Sequence, residues 1–89
     1  MSYLISTTVT VFTNQPIAPA VLPNTLTELA FGHEFNQPFT QDVLPKSLRI
    51  LTLGYRFNWP IAVGVLPDTL THLTFGAEFN QEIKQDVLP

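Results

Sequence analysis

Residues 26–38 read LTELAFGHEFNQP, and the pattern returns as LRILTLGYRFNWP at 48–60 and as LTHLTFGAEFNQE at 70–82. Each step is 22 residues, and a Leu-Pro pair marks the same period four times between Leu22 and Pro89. Self-similarity at a fixed period is typical of repeat architectures, in which stacked units share one continuous core. We therefore interpret the chain as a stack of 22-residue coils.

Eight positions of the repeat are constant or nearly so, and six of them carry apolar side chains. The eight columns are Leu26, Leu48 and Leu70; Leu29, Leu51 and Leu73; Phe31, Leu53 and Phe75; Gly32, Gly54 and Gly76; Phe35, Phe57 and Phe79; Asn36, Asn58 and Asn80; Phe39, Ile61 and Ile83; Val43, Val65 and Val87. Stacking brings each apolar column into a shared interior that a single coil cannot form alone.

Each repeat contains one strand signal and no helix signal. The alternation of Leu29, Ala30 and Phe31 favours a short strand. Because glycine tolerates positive φ at no steric cost, the Gly32 column predicts a backbone bend in every coil. The return limb is too rich in proline for a useful α-helix. The predicted fold is a β solenoid of leucine-rich-repeat type, with right-handed coils, short parallel strands and a helix-poor convex side.

The repeat boundaries predict one domain over residues 1–89. Residues 22–43, 44–65 and 66–87 form the repeats, and 88–89 begin a truncated one. Residues 1–21 read as a degenerate N-terminal capping repeat, since terminal repeats are atypical. In this cap Leu4 falls in a core column, Thr7 replaces a core leucine and Phe12 lies one position from its column. The chain is expected to be a fragment of a longer array.

Composition narrows the classes of function. With 45% apolar residues and 12% charged ones, the chain is not of the disordered class. Four basic residues against seven acidic ones argue against nucleic-acid binding and against a polybasic membrane patch. The N-terminus has no basic segment followed by a long apolar run, so no signal peptide or membrane anchor is predicted. Because cysteine is absent, a reducing, cytoplasmic location is expected.

The asparagine column predicts a structural ladder. Asn14, Asn36, Asn58 and Asn80 lie beside a core phenylalanine column or its equivalent, and an unpaired buried amide costs about 1–3 kcal/mol. We therefore expect each amide to bind turn backbone groups of its own or the next coil. A ligand or catalytic role for these residues is the alternative.

The recurring run Leu-x-x-Leu-x-Phe-Gly-x-x-Phe-Asn-Gln-Pro resembles the FNIP repeat. That family is a variant of the leucine-rich repeat with the same period, known mainly from social amoebae and giant DNA viruses of protists. The resemblance covers about residues 14–89 and implies a solenoid used for protein–protein contact, in the host cytoplasm if the source is viral. Some relatives carry an F-box, and nothing here looks like one. Trp59 and Glu82 depart from the Gln and Pro of the pattern, and Phe39 replaces Ile.

No catalytic constellation is readable. His33 and His72 occupy different columns, and nothing pairs them with a third ligand at metal spacing. Neither a nucleophile with its base nor a phosphate-binding glycine loop is present. We expect no enzyme activity, cofactor or metal.

Charged columns are read as surface features. Glu34, Arg56 and Glu78 share one column and could form an exposed ladder, worth about 0–1 kcal/mol per pair. Lys46 and Asp68 share another column, next to the Leu-Pro turns. These residues are expected to be solvated.

Variable positions between the fixed columns predict where a partner binds, since the fixed ones are consumed by packing. The candidate residues are Glu28, Ile50 and His72 on the strands, followed by Tyr55, Arg56 and Trp59 in the middle coil. Tyr, Arg and Trp are enriched in binding hot spots. An equally open interpretation is that Trp59 merely covers the edge of its coil.

The predicted function is a non-catalytic scaffold for recognition of a protein partner through the strand face. The alternative is a structural or self-assembling element that associates through the apolar end of its C-terminal coil.

Overall fold

The computed structural model describes residues 8–89. In this part of the chain there are four strands and no helix: β1 (Thr8–Val11), β2 (Glu28–Phe31), β3 (Ile50–Thr52) and β4 (His72–Thr74). No segment of residues 8–89 is a helix long and apolar enough to cross a membrane.

The strands form one parallel sheet in the order β1-β2-β3-β4. Leu29 pairs with Leu51, and Leu51 pairs with Leu73, so like columns lie beside like across the coils. The predicted solenoid with short parallel strands is confirmed. Each return limb contains turns and extended segments, as its prolines require.

The core lies between the strands and the return limbs and consists of the predicted columns. Leu26, Leu29, Leu48, Leu51 and Phe57 are at most 1% exposed. The described residues contain no buried polar or charged side chain, so burial here is entirely apolar. At about 25 cal/mol per Å² of buried apolar area, each of these side chains contributes roughly 1.5–3 kcal/mol before entropy is subtracted.

Phenylalanine rings run through this core from one coil to the next. Phe39, which replaces the usual isoleucine, lies with its ring centroid 5.3 Å from that of Phe31 and 5.3 Å from that of Phe57. Phe57 in turn stacks on Phe79 at 6.0 Å with the rings nearly parallel. The larger side chain at Phe39 is therefore accommodated as a link between two coils.

The first coil is two residues shorter than the repeat predicts. β1 pairs with β2 at an offset of 20 residues, Val9 facing Leu29 and Val11 facing Phe31. The prediction that Thr7 stands in the core leucine column was therefore wrong, because Val9 takes that position. Leu4 and Thr7 themselves lie outside the described residues.

The missing residues belong to the turn after the strand. Phe12 follows Val11 as Gly32 follows Phe31, yet Asn14 aligns with Asn36 at the full period of 22 residues. The first coil thus replaces the five-residue run Gly32–Asn36 by Phe12–Asn14. Phe12 is 73% exposed, since no position in the core column receives it.

The glycine column has a different cause from the predicted one. None of Gly32, Gly54 and Gly76 has positive φ. A bend does follow each glycine, closed at Gly54 by the N–H of Phe57 donating to the Gly54 carbonyl at 3.3 Å. The constraint is close approach: a Cβ on Gly54 would lie 2.0 Å from the carbonyl oxygen of Gly32.

Positive φ occurs instead in a column that sequence reasoning did not single out. Ala20, Asp42, Gly64 and Asp86 have φ between 66° and 86°, one per coil at the full period. Asp tolerates this left-handed conformation better than Ala does, and glycine adopts it freely. The conformation recurs at the turn before each Leu-Pro pair, so it is a property of the coil.

Candidate protein-binding face

The three strand residues predicted to meet a partner form one row across the sheet. Glu28 is the register partner of Ile50, and Ile50 is the register partner of His72. Glu28 and His72 are exposed and Ile50 is partly buried, whereas the flanking Leu29 and Leu51 are buried in the core. The row therefore lies on the solvent side of the sheet, at the spacing of neighbouring strands, about 4.7–4.9 Å.

A second row runs beside the first and consists of small side chains. It contains Thr10, Ala30, Thr52 and Thr74, which are register partners across the four strands. Small residues on one row and mixed residues on the next give a flat surface on a hydrogen-bonded scaffold. Such a surface can meet a partner without rearranging its backbone.

Tyr55 and Arg56 lie in the turn that follows β3, next to the strand face. The N–H of Arg56 donates to the carbonyl of His33 at 3.1 Å, and the Tyr55 carbonyl accepts from the N–H of Glu78 at 3.1 Å. The turn is thus anchored to the coil on each side. The Tyr55 ring is 50% exposed, with its centroid 6.3 Å from that of the His33 ring.

Arg56 forms an ion pair with Glu34 in the preceding coil, with 3.5 Å between Nε and Oε2. Both side chains are more than half exposed, so solvent screening holds the contribution near the bottom of the 0–1 kcal/mol range. Among the described residues Arg56 pairs with no other carboxylate, so the three-member column does not form a continuous ion-pair ladder.

Trp59 occupies the position that is Gln37 and Gln81 in the neighbouring coils. The Gln37 Nε2 donates to the backbone carbonyl of Asn14 at 3.3 Å, and the Trp59 indole Nε1 donates to the carbonyl of Asn36 at 3.0 Å. The indole therefore makes the same contact between coils as the glutamine amide. Its ring is 39% exposed, which leaves part of one face available to a partner.

The four asparagines stand in one line, and three hydrogen bonds connect them. The backbone N–H of Asn36 donates to Asn14 Oδ1 at 2.9 Å. The same contact joins Asn58 to Asn36 at 3.1 Å and Asn80 to Asn58 at 2.9 Å. Each side chain fixes the backbone of the coil that follows, a geometry with no role for substrate or ligand.

Sequence analysis missed a second set of contacts between coils, made by hydroxyl groups. Ser47 Oγ donates to the carbonyl of Leu26 at 2.6 Å, and Thr69 Oγ1 donates to the carbonyl of Leu48 at 2.6 Å. The signal was the hydroxyl that recurs at this position of the repeat, since Thr25 precedes Leu26 as Ser47 precedes Leu48.

The two histidines are separated in the structure. His33 lies in a turn, while His72 lies on β4 with its Nδ1 2.9 Å from Thr71 Oγ1. Within residues 8–89 no group of three or more His, Cys, Asp or Glu could hold a metal ion. The cavities in this part of the chain are open grooves along the coils. Lys46 borders two of them, with volumes of about 580 and 350 Å³.

Comparison with solved structures finds close similarity to the crystal structure of CroV588, described as a novel circular leucine-rich-repeat protein. The two chains share 55% sequence identity with a TM-score of 0.86. The similarity covers 90% of this chain and 12% of CroV588, so this chain spans about an eighth of that protein. No curated protein sequence gives a match.

The family model of the FNIP repeat matches two adjacent segments, residues 14–56 and 57–89. Together they include every strand after β1 and the whole asparagine line. The chain belongs to the FNIP repeat family and has the leucine-rich-repeat type of solenoid.

Proposed function

We propose that this chain is a non-catalytic scaffold for protein–protein recognition, acting as a section of a longer array. The observation that carries the proposal is the row of Glu28, Ile50 and His72 in register on the solvent side of a rigid sheet. The coverage of only 12% of CroV588 supports the longer array. Because the chain has no cysteine, we place it in the reducing cytoplasm.

The proposed partner contacts centre on Ile50 and Tyr55. Ile50 offers a β-branched apolar side chain on the flat sheet, and Tyr55 offers a half-exposed ring just beyond the strand. Since the backbone of Tyr55 is already hydrogen-bonded to the next coil, binding would freeze little extra motion. Arg56 borders this patch and adds a charged contact at its edge.

Trp59 has a framework role in this proposal as well as a binding role. Its indole N–H is used inside the solenoid, and only the outer part of the ring faces solvent. Trp59→Gln therefore separates the two roles, because glutamine makes the same contact between coils at Gln37 and Gln81.

The test is capture of binding proteins from a lysate of the source cell, quantified for matched variants. Ile50→Ser and Tyr55→Ala should each reduce capture of the same proteins at least about tenfold, the effect of losing roughly 1.4 kcal/mol of binding free energy. Val63→Ser is the matched control, because Val63 is 57% exposed and lies on the return limb. Unchanged capture by both strand-side variants, with unchanged thermal stability, would refute the proposal.

End-on association is a second candidate, favoured by a specific observation. In the fourth coil Leu73, Phe75 and Phe79 are only partly buried, whereas Leu51 and Phe57 in the third coil are 0% exposed. The end of the stack therefore presents apolar columns that an added coil would cover. Sedimentation velocity over a range of concentrations distinguishes the candidates, since a strand-face scaffold stays monomeric.

A further inference from the structure

Formal charge alternates from coil to coil. All of the charged side chains lie within residues 22–87, and the first coil has none. The second coil, 22–43, has three acids and no base; the third, 44–65, has three bases and no acid; the fourth, 66–87, has four acids and one base. Their formal charges are therefore −3, +3 and −3, which account for the net charge of the chain.

The bases of the third coil are Lys46, Arg49 and Arg56. All three are exposed, and each neighbouring coil offers carboxylates. Arg56 contacts Glu34 on one side and shares its column with Glu78 on the other. Neighbouring strands are about 4.8 Å apart, well within the Debye length of about 8 Å at physiological salt, so unlike charges on adjacent coils attract and like charges repel.

The fourth coil is acidic and has no coil on its C-terminal side. Its apolar columns are partly exposed, and its polar groups match those that bind the next coil elsewhere. Asn36 and Asn58 each accept a backbone N–H from the following coil. The side chain of Asn80 has no hydrogen bond within the part of the chain that the structure describes. The end is thus shaped to accept one more coil of the same kind.

A second copy of this chain is a poor occupant of that end. Two acidic C-terminal coils placed face to face would repel each other. Head-to-tail stacking would bring up the uncharged first coil, in which Phe12 stands where Gly54 and Gly76 admit the neighbouring carbonyl oxygen. A phenyl group at that position prevents the same close approach.

We infer that the C-terminal face binds a coil of this repeat type that carries net positive charge, as residues 44–65 do. Such a coil brings a glycine against the Gly76 carbonyl and an asparagine N–H to Asn80 Oδ1. A base at the position of Lys46 would face Asp68, and a base at the position of Arg56 would face Glu78. This inference rests on the end-on mode of the proposed function and adds the charge of the partner coil.

The experiment extends the intact chain by one coil without changing the period. A copy of residues 46–67 is joined after Pro89, and in a matched extended chain the changes Lys46→Glu, Arg49→Glu and Arg56→Glu are made in the copy alone. The two extended chains have the same apolar columns and the same length. In low salt the basic copy should raise the Tm by at least about 4 °C more than the acidic copy does. In 1 M NaCl the difference should fall to about 1 °C.

Three results would overturn the inference. Equal stabilisation by the two copies in low salt would show that charge does not select the coil. The absence of stabilisation by either copy would show that the end does not accept a coil. A stable dimer of the unextended chain would identify a second copy as the occupant. None of these results bears on the strand face, which is tested separately through Ile50 and Tyr55.

Discussion

Only a hydrogen atom fits between Gly54 and the coil that precedes it. The Cβ of any other residue at this position would lie 2.0 Å from the carbonyl oxygen of Gly32 and 2.8 Å from that of Phe31. Both obstacles are backbone atoms of a hydrogen-bonded sheet, so they cannot move without separating the coils. The requirement for glycine is thus steric and arises from the neighbouring coil.

Gly54→Ala should therefore destabilise the protein by more than about 3 kcal/mol, since relief of the clash needs a backbone shift. Gly32→Ala is the control at the equivalent position. There the Cβ meets the Phe12 ring at 3.0 Å, and an exposed ring can rotate away. Urea denaturation of both variants measures the difference. Equal losses would show that close approach is not the cause.

Ala20 is strained by its backbone conformation, with φ at 67°. An L-residue in the left-handed region costs about 1–2 kcal/mol, part of which glycine returns through its freer unfolded state. Ala20→Gly should raise stability by about 0.5–1 kcal/mol, a Tm increase of roughly 2–6 °C. Ala18→Gly, where φ is not positive, should lower the Tm instead. An equal effect at both positions would contradict the strain.

At the level of the strands, the period was sufficient to predict the sheet. β3 falls inside the stretch 48–53 because Leu51 and Leu53 alternate with polar or exposed positions, and stacking then sets the register. The first coil could not be predicted in this way, because a period counts residues and Phe12–Asn14 has too few of them. The shortened turn shifts Val9, and not Thr7, against Leu29.

The candidate site was predictable only in part, for a related reason. Column position correctly grouped Glu28, Ile50 and His72, since register follows from the repeat. It could not indicate that Trp59 uses its N–H inside the solenoid, because that contact depends on side-chain reach across the coils. The shared property of Gln and Trp, an N–H donor, becomes informative once the acceptor is known.

The asparagine line connects the coils at their return limbs, and its members should differ in importance. Asn36 Oδ1 accepts the N–H of Asn58 at a partly buried site, so Asn36→Ala should cost about 1–3 kcal/mol. Asn80→Ala removes no described hydrogen bond of the side chain and should cost less than about 0.5 kcal/mol. Denaturant midpoints give the comparison. Similar losses at the two positions would refute the proposed acceptor role.

On the scale of the whole molecule, stability comes from interfaces between successive coils. In the nearest-neighbour description of repeat proteins, an inner coil contributes two interfaces and a terminal coil contributes one. The third coil is the inner coil with the most complete burial, since Leu48, Leu51 and Phe57 are all 0% exposed. Damage there weakens both of its interfaces at once.

Leu51→Ala should therefore be far more harmful than Leu73→Ala, although the two residues occupy one column. Leu51 pairs with Leu29 and Leu73 and should cost about 3–5 kcal/mol, a large part of the 5–15 kcal/mol typical of a small domain. Leu73 is already partly exposed at the end of the stack and should cost about 1–2 kcal/mol. Fluorescence of Trp59, the single tryptophan, follows the third coil during thermal unfolding. The Leu51→Ala signal should lose its cooperative transition, while Leu73→Ala should keep it at a lower Tm. A fully cooperative, unshifted transition in Leu51→Ala would show that the coils do not share one core.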